Sequence, residues 1–250
     1  MQCGTISSRT MAKTQRQEVD LLGESVEYEV RNSSDATKPR IDVDIHGVTV
    51  VVPESEEVPP AELLKENAAW VTEKTRQYDA YRDEIPERRF EKGAVFPYLG
   101  DDHEIVIEKR SSSSIETGEF RLAKHHVEEK SVKRALETLY RRKAREIFEE
   151  RADQLAAEMD LQYEQIEIRN QRTKWGSCST TGTLGLNWRL MMAPMEIIDY
   201  IVIHELAHLR ESNHTDSFWN LVAEYDPDYE DHARWLEENS VKLIFSEADL

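Results

Sequence analysis

The chain has 250 residues, 50 acidic against 32 basic, for a formal charge of −18, with 39% hydrophobic residues. That length and mixture suit a globular chain of one domain, or a domain with a smaller companion, and no apolar run approaches the roughly 20 residues of a membrane span. The acid excess argues against general nucleic-acid binding, because phosphate contacts need concentrated Lys and Arg.

Residues 1–20 are polar, lack the apolar centre of a secretory signal, and are expected to be a disordered extension in which Met1 or Met11 is the start. Residues 21–124 read as a β-rich portion with one helix. Residues 25–31 suit a strand, and RIDVDIHGVTVVVP suits two more around Gly47. Ile41, Val43 and Ile45 alternate there with Asp42, Asp44 and His46, so His46 should face solvent. Pro59 and Pro60 fit the first turn of a helix running toward Tyr81. FPYLGDDHEIVIEKR returns to strand with a turn at Asp101 and Asp102, and SSSSIETGEF reads as a loop or hairpin end.

Residues 125–250 form the third segment. A helix is expected from His125 to Met159, with Leu136, Leu139, Tyr140, Ile147, Phe148 and Leu155 on its inner face and His125 and His126 at the surface. QIEIRN, TKWGSCS and TLGLNWRLM read as short strands, with a turn at Thr181 and Gly182 between the last two. From Pro194 a second helix carries Ile197, Ile198, Ile201, Val202, Leu206 and Leu209, and on it stands HELAH, residues 204–208.

Four residues of helix turn about 400°, so His204 and His208 lie on one face and both rings can reach one ion. Glu205 is displaced by roughly 100° and is free to take a proton from water, which zinc acidifies toward a pKa of about 7. A catalytic zinc usually has a third protein ligand, and His214 can supply it because Ser212 and Asn213 allow the chain to turn back. Thr215 suits the N-cap of a following helix whose Phe218, Trp219, Leu221 and Val222 pack to fix His214. His232, near a last helix with Trp235 and Leu236, is not needed as a ligand.

TKWGSCS, LNWRLMMAP, DYIVIHELAHLRESNHTDSFW and DPDYEDHARWL, in that order, closely resemble the YgjP-like metallopeptidase family, related to the WLM zincins. The resemblance implies an α+β zincin-like fold in which an active-site helix lies against a small sheet, preceded by the N-terminal β-rich portion. It implies His204, His208 and His214 as ligands of one Zn2+ per chain and Glu205 as the catalytic residue. Lys174 departs from the Arg often found before Trp-Gly-Ser-Cys, which keeps charge but loses bidentate contact. In zincin-like enzymes an edge strand beside the metal helix pairs with extended substrate, and Gly176 would allow close backbone approach. Lys174, Trp175, Gly176 and Asn187 are therefore candidate substrate-binding residues, with Trp175 as a core anchor the plainer alternative. Cys178 reads as a small buried hydrophobe, with a fourth ligand or an inhibitory thiolate as the alternatives.

The expectation is a zinc-dependent hydrolase, a metallopeptidase acting on a peptide or protein. The same site could instead serve a nucleoside triphosphate, with Arg172, Lys174 and Arg189 near the phosphates, or a metal-held module without activity. Two cysteines, Cys3 and Cys178, far apart, indicate no disulfide framework and suit a reducing cytoplasm; the oligomeric state is not legible. The spread of acidic residues reads as an ordinary solvated surface or as adaptation to high salt, where screening removes self-repulsion. Under the second reading, thermal melts show the Tm rising between low and molar salt, and a flat or falling Tm refutes it.

Overall fold

Leu22 and Gly23 both take positive φ, 56° and 86°, the conformation a two-residue hairpin turn requires. They fold β1 (Arg16–Leu21) back on β2 (Glu24–Ser33). The computed structural model describes residues 16–34, 36–44, 47–55 and 58–249; the expectations for Met1, Cys3, Met11, Ile45 and His46 lie outside them. β1 corrects the expected extension over residues 16–20. Val19 and Leu21 alternate with charged residues and bury their side chains, a strand signal short enough to be lost beside the polar start.

β3 (Arg40–Asp44) and β4 (Gly47–Pro53) complete a four-stranded sheet of order β1-β2-β4-β3, in which β2 and β4 run parallel. Two helices, α1 (Pro60–Glu66) and α2 (Ala68–Asp83), replace the single helix expected there. Asn67 breaks it: its side-chain amide donates to the Leu63 carbonyl at 2.8 Å, competing with the helix ladder. Leu64 and Val71 join Val19, Leu21, Val26, Tyr28, Val48, Val50 and Val52 in one core.

The chain divides into two compact units, Met1–Glu84 and Ile85–Leu250. The boundary drawn from sequence after residue 124 is therefore displaced. β5 (Val95–Tyr98), β6 (Asp101–Glu108), β7 (Ser114–Glu116) and β8 (Glu119–Ala123) belong to the second unit, because Phe96, Ile105, Phe120 and Leu122 share its core. They form a sheet of order β5-β6-β8-β7. Its first turn is Leu99-Gly100, both at positive φ, while Asp101 and Asp102 already belong to β6.

α3 (Lys124–Glu129) and α4 (Val132–Glu158) share the long helical stretch, parted at Ser131, whose hydroxyl caps α4 by accepting from the Arg134 amide at 3.2 Å. Along α4, Leu136, Tyr140, Ala144, Phe148 and Ala152 recur every four residues and are buried, with charge on the opposite face. β9 (Gln165–Arg169), β10 (Gly176–Cys178) and β11 (Thr183–Asn187) form a three-stranded sheet of order β10-β11-β9. A tight helical turn, Trp188–Met192, leads to α5 (Met195–Ala207), and α6 (Asp216–Tyr225) and α7 (Tyr229–Asn239) follow.

Buried residues on almost every side of α5, Ile197, Ile198, Ile201, Val202, Ile203, Leu206 and Ala207 among them, make it the central helix of this unit. The architecture is mixed α+β. Among the described residues no helix is long and apolar enough to cross a membrane.

Phe148 is fully buried against this core. Phe148→Ala should lower the unfolding free energy by about 3–5 kcal/mol, measured by guanidinium titration. A loss below about 1 kcal/mol would contradict the packing described.

Candidate metal centre

α5 ends at Ala207, and His208 caps it in helical conformation, one turn beyond His204. The amides of Leu209 and Arg210 bond back to the carbonyls of Leu206 and Ala207 at 3.0 Å each, tightening the helix end so that the chain reverses. The reversal brings His214 back to the helix. Thr215 occupies the N-cap position of α6 as expected, but its hydroxyl makes no capping bond.

The three histidines offer ligand atoms that all lie within 4.8 Å of one another. Nε2 of His204 and Nε2 of His214 stand 3.0 Å apart. Phe218 is the floor: its ring centroid is 4.9 Å from that of His204, 4.6 Å from His208 and 4.7 Å from His214. Trp219 stacks on His214 at 5.6 Å and on Tyr229 at 5.4 Å, so α6 and the start of α7 brace the ring carried by the exposed turn.

The donor set fits a metal ion. His208 Nδ1 lies 3.1 Å from the Glu211 carbonyl, and donating its proton there leaves Nε2 with a free lone pair toward the other rings. Burial holds His204 down at about 4, helped by neighbouring His208 and His214; burial also lowers His208, against the effect of its bond to Glu211. Both helix histidines are thus in the neutral form that ligation requires. His204 Nδ1 is buried with no partner.

Glu205, next to His204 on α5, lies against β10 and is only 5% exposed. Burial pushes its carboxyl up to about 7, against the opposing charge of Lys174. It packs on the backbone of Gly176, where a Cβ would fall 2.7 Å from the glutamate Cγ and 2.8 Å from Cδ.

Of the four residues expected to bind substrate, Lys174 is exposed, and Trp175 and Gly176 are half-buried at the start of the edge strand β10. Trp175 packs against the core, and the Arg189 guanidinium lies 5.2 Å over its ring. Asn187 must be corrected: it is wholly buried, and its amide donates to the carbonyls of Gln171 at 2.7 Å and Lys174 at 3.1 Å. It fastens the loop before β10 and cannot touch a substrate. Arg189 is likewise buried, bonded to the Gln171 carbonyl at 2.9 Å, and so is not available to a phosphate.

Cys178 stays outside the histidine group. Its thiol contacts the Ser179 carbonyl at 3.5 Å and is pushed up by burial and by the charge of Glu205, which favours an inert thiol. His232 bonds the buried Asp226 at 2.9 Å and is not among the converging rings. The sequence reading missed Tyr200, buried one turn before His204 with its ring 6.0 Å from that histidine and 6.3 Å from His232. Its position four residues before His204 was the available signal.

A family model described as YgjP-like, metallopeptidase domain matches residues 37–239. No curated protein matches the chain. Among solved structures, the metallopeptidase zymogen of Pyrococcus abyssi abylysin is 26% identical, with 36% of this chain and 93% of that one covered and a TM-score of 0.34. The metallopeptidase zymogen of Methanocaldococcus jannaschii jannalysin is 23% identical, with 37% and 96% covered and a TM-score of 0.34.

The buried carboxyl makes stability depend on pH. With its folded pKa raised from 4.5 to about 7, Glu205 destabilises the metal-free fold progressively as pH rises between those values and fully above them. Glu205→Gln removes that penalty, so in chelator-treated protein its Tm advantage over wild type should be absent near pH 4.5 and largest above pH 7. Equal advantage at pH 4.5 and 8 would show that Glu205 is not held in a desolvated slot.

Proposed function

The chain belongs to the YgjP-like family of metallopeptidase domains, and from that premise we propose that it is a zinc-dependent peptidase whose ligands are His204, His208 and His214 and whose general base is Glu205. The observation that carries this reading is the convergence of three histidines beside a separate buried carboxylate. The spacing suits a shared ion: the ligand atoms of the three histidines all lie within 4.8 Å of one another, and zinc is the metal that a three-histidine set with an adjacent carboxylate would take. We also read α5 against the β10-β11-β9 sheet as a zincin-like arrangement.

When bound, one zinc per chain would polarise the scissile carbonyl and acidify water at the site. The protein's own groups then divide the remaining work. A Glu205 carboxylate oxygen takes a proton from the attacking water as the C–O bond forms, and later delivers it to the leaving amine nitrogen as the C–N bond breaks. Burial raises this carboxyl to about 7 in the metal-free chain, and a bound cation would favour its ionised, proton-accepting form. A peptide or protein substrate would run along the edge of β10, past Gly176 and Trp175, with exposed Lys174 at the strand's entry.

Elemental analysis after exhaustive dialysis should give about one zinc per chain, and His214→Ala should weaken retention. Zinc-loaded Glu205→Gln should keep the metal while its kcat on unfolded casein falls by a factor of about 10²–10⁴. Turnover preserved in metal-replete E205Q, or no zinc retained by wild type after reconstitution, would sink the assignment.

A further inference from the structure

Gly176 is where the strand and the catalytic helix meet with no side chain between them. The Cβ that any other residue would carry there lies 2.7 Å from Glu205 Cγ and 2.8 Å from Cδ, and closer still to Oε1. Real Cβ contacts essentially never fall under 3.0 Å. Rotating the carboxylate alone does not relieve this, because Cγ and Cδ are crowded as well as the terminal oxygen. Either the whole side chain leaves its slot or the strand withdraws.

The strand is poorly placed to withdraw. Gly176 pairs with Leu186 in the β10–β11 ladder. One residue earlier, the Trp175 carbonyl accepts the Asn187 amide at 2.9 Å. The wholly buried Asn187 side chain holds the carbonyls of Gln171 and Lys174, and buried Arg189 adds a second bond to Gln171. On the opposite side, α5 is fixed by its buried apolar residues.

We propose that Gly176 is a positioning residue for Glu205: the missing side chain makes the slot that holds the carboxylate, and the Asn187–Arg189 latch behind the strand keeps that slot from opening. The inference rests on the reading of Glu205 as the base. It gives Gly176 a role distinct from letting substrate approach, since the group already against it is the glutamate. It also gives the buried polar pair in LNWRL a function without contact to substrate.

Gly176→Ala is the direct test, compared with E205Q, G176A/E205Q and G176A/E205A. Zinc affinity by chelator competition should change less than about threefold in G176A, because no ligand is touched. On unfolded casein its kcat should fall at least about tenfold with KM little changed, and G176A/E205Q should be no slower than E205Q alone. Where G176A is destabilised, removing the glutamate side chain in G176A/E205A should restore the Tm lost, a readout independent of activity. Wild-type kcat in G176A, additive losses in G176A/E205Q, or a destabilisation that E205A does not relieve would each overturn the proposal. Retained turnover in E205Q would instead overturn the reading of the base, while the G176A/E205A melts would still report whether the glutamate occupies the slot.

Discussion

A carboxylate held almost wholly out of water, against a strand with no side chain at the facing position, constrains the rest of the C-terminal unit. Burying an ionisable group is unfavourable unless it is paired or hydrogen-bonded, so such a group stays buried only where stiff neighbours leave it no way back to solvent. Stiffness comes from both sides. α5 gains it from apolar packing against α4 and the sheets, and β10 from the bonds that Asn187 and Arg189 make to the loop before it. Arg189 is itself buried, with its guanidinium over the Trp175 ring, so Trp175 serves the latch as well as the core.

The histidines and the glutamate share an electrostatic bias. Burial drives His204 and His208 toward neutrality by lowering their pKa values, and drives Glu205 toward neutrality by raising its own. Without an ion, the pocket therefore disfavours charge of either sign. A divalent cation would reverse the cost for the carboxylate while using the neutral rings as they stand. Under the proposed function, the environment that makes Glu205 a poor carboxylate in the metal-free chain is offset by the ion, which would favour the carboxylate form that accepts a proton.

The site was legible where chemistry and helical period coincide. HELAH on an apolar helix places two imidazoles on one face by arithmetic, and polar Ser212 and Asn213 announce the reversal that returns His214. What escaped was tertiary. Asn187 sits at the end of a strand beside the motif, where an exposed ligand and a buried latch look alike, and only its complete burial separates them. Gly176 was singled out for close approach, but the approaching group comes from a helix 29 positions later in the chain, which no local pattern encodes. The strand β1 and the turns Leu22-Gly23 and Leu99-Gly100 were missed for a simpler reason: a leucine in the left-handed region is an unusual first turn residue, and Asp101 and Asp102 resembled a better turn. The domain boundary was misplaced because β5 to β8 read as strands like those before them, whereas membership of a unit depends on which core their inward residues share.

α5 is buried through to its last turn, and the reversal that follows it is not. Toward the start of α5, Asp199 receives a bidentate pair from Arg151 of α4 at 2.6 and 2.7 Å, joining two elements already packed through the core. At its C-terminal end the helix gives way to a tight turn, and His208 is tied by one bond to the Glu211 carbonyl. Beyond it, His214 is exposed and braced mainly by ring contacts with Phe218 and Trp219. Local stability follows the density of buried contacts, so the turn at residues 208–215, all exposed or only half-buried, should open before α5. An ion shared by His204, His208 and His214 would cross-link that turn to the helix. In the proposed enzyme, loading the metal would then be a folding event for residues 208–215 as well as the supply of a catalytic group.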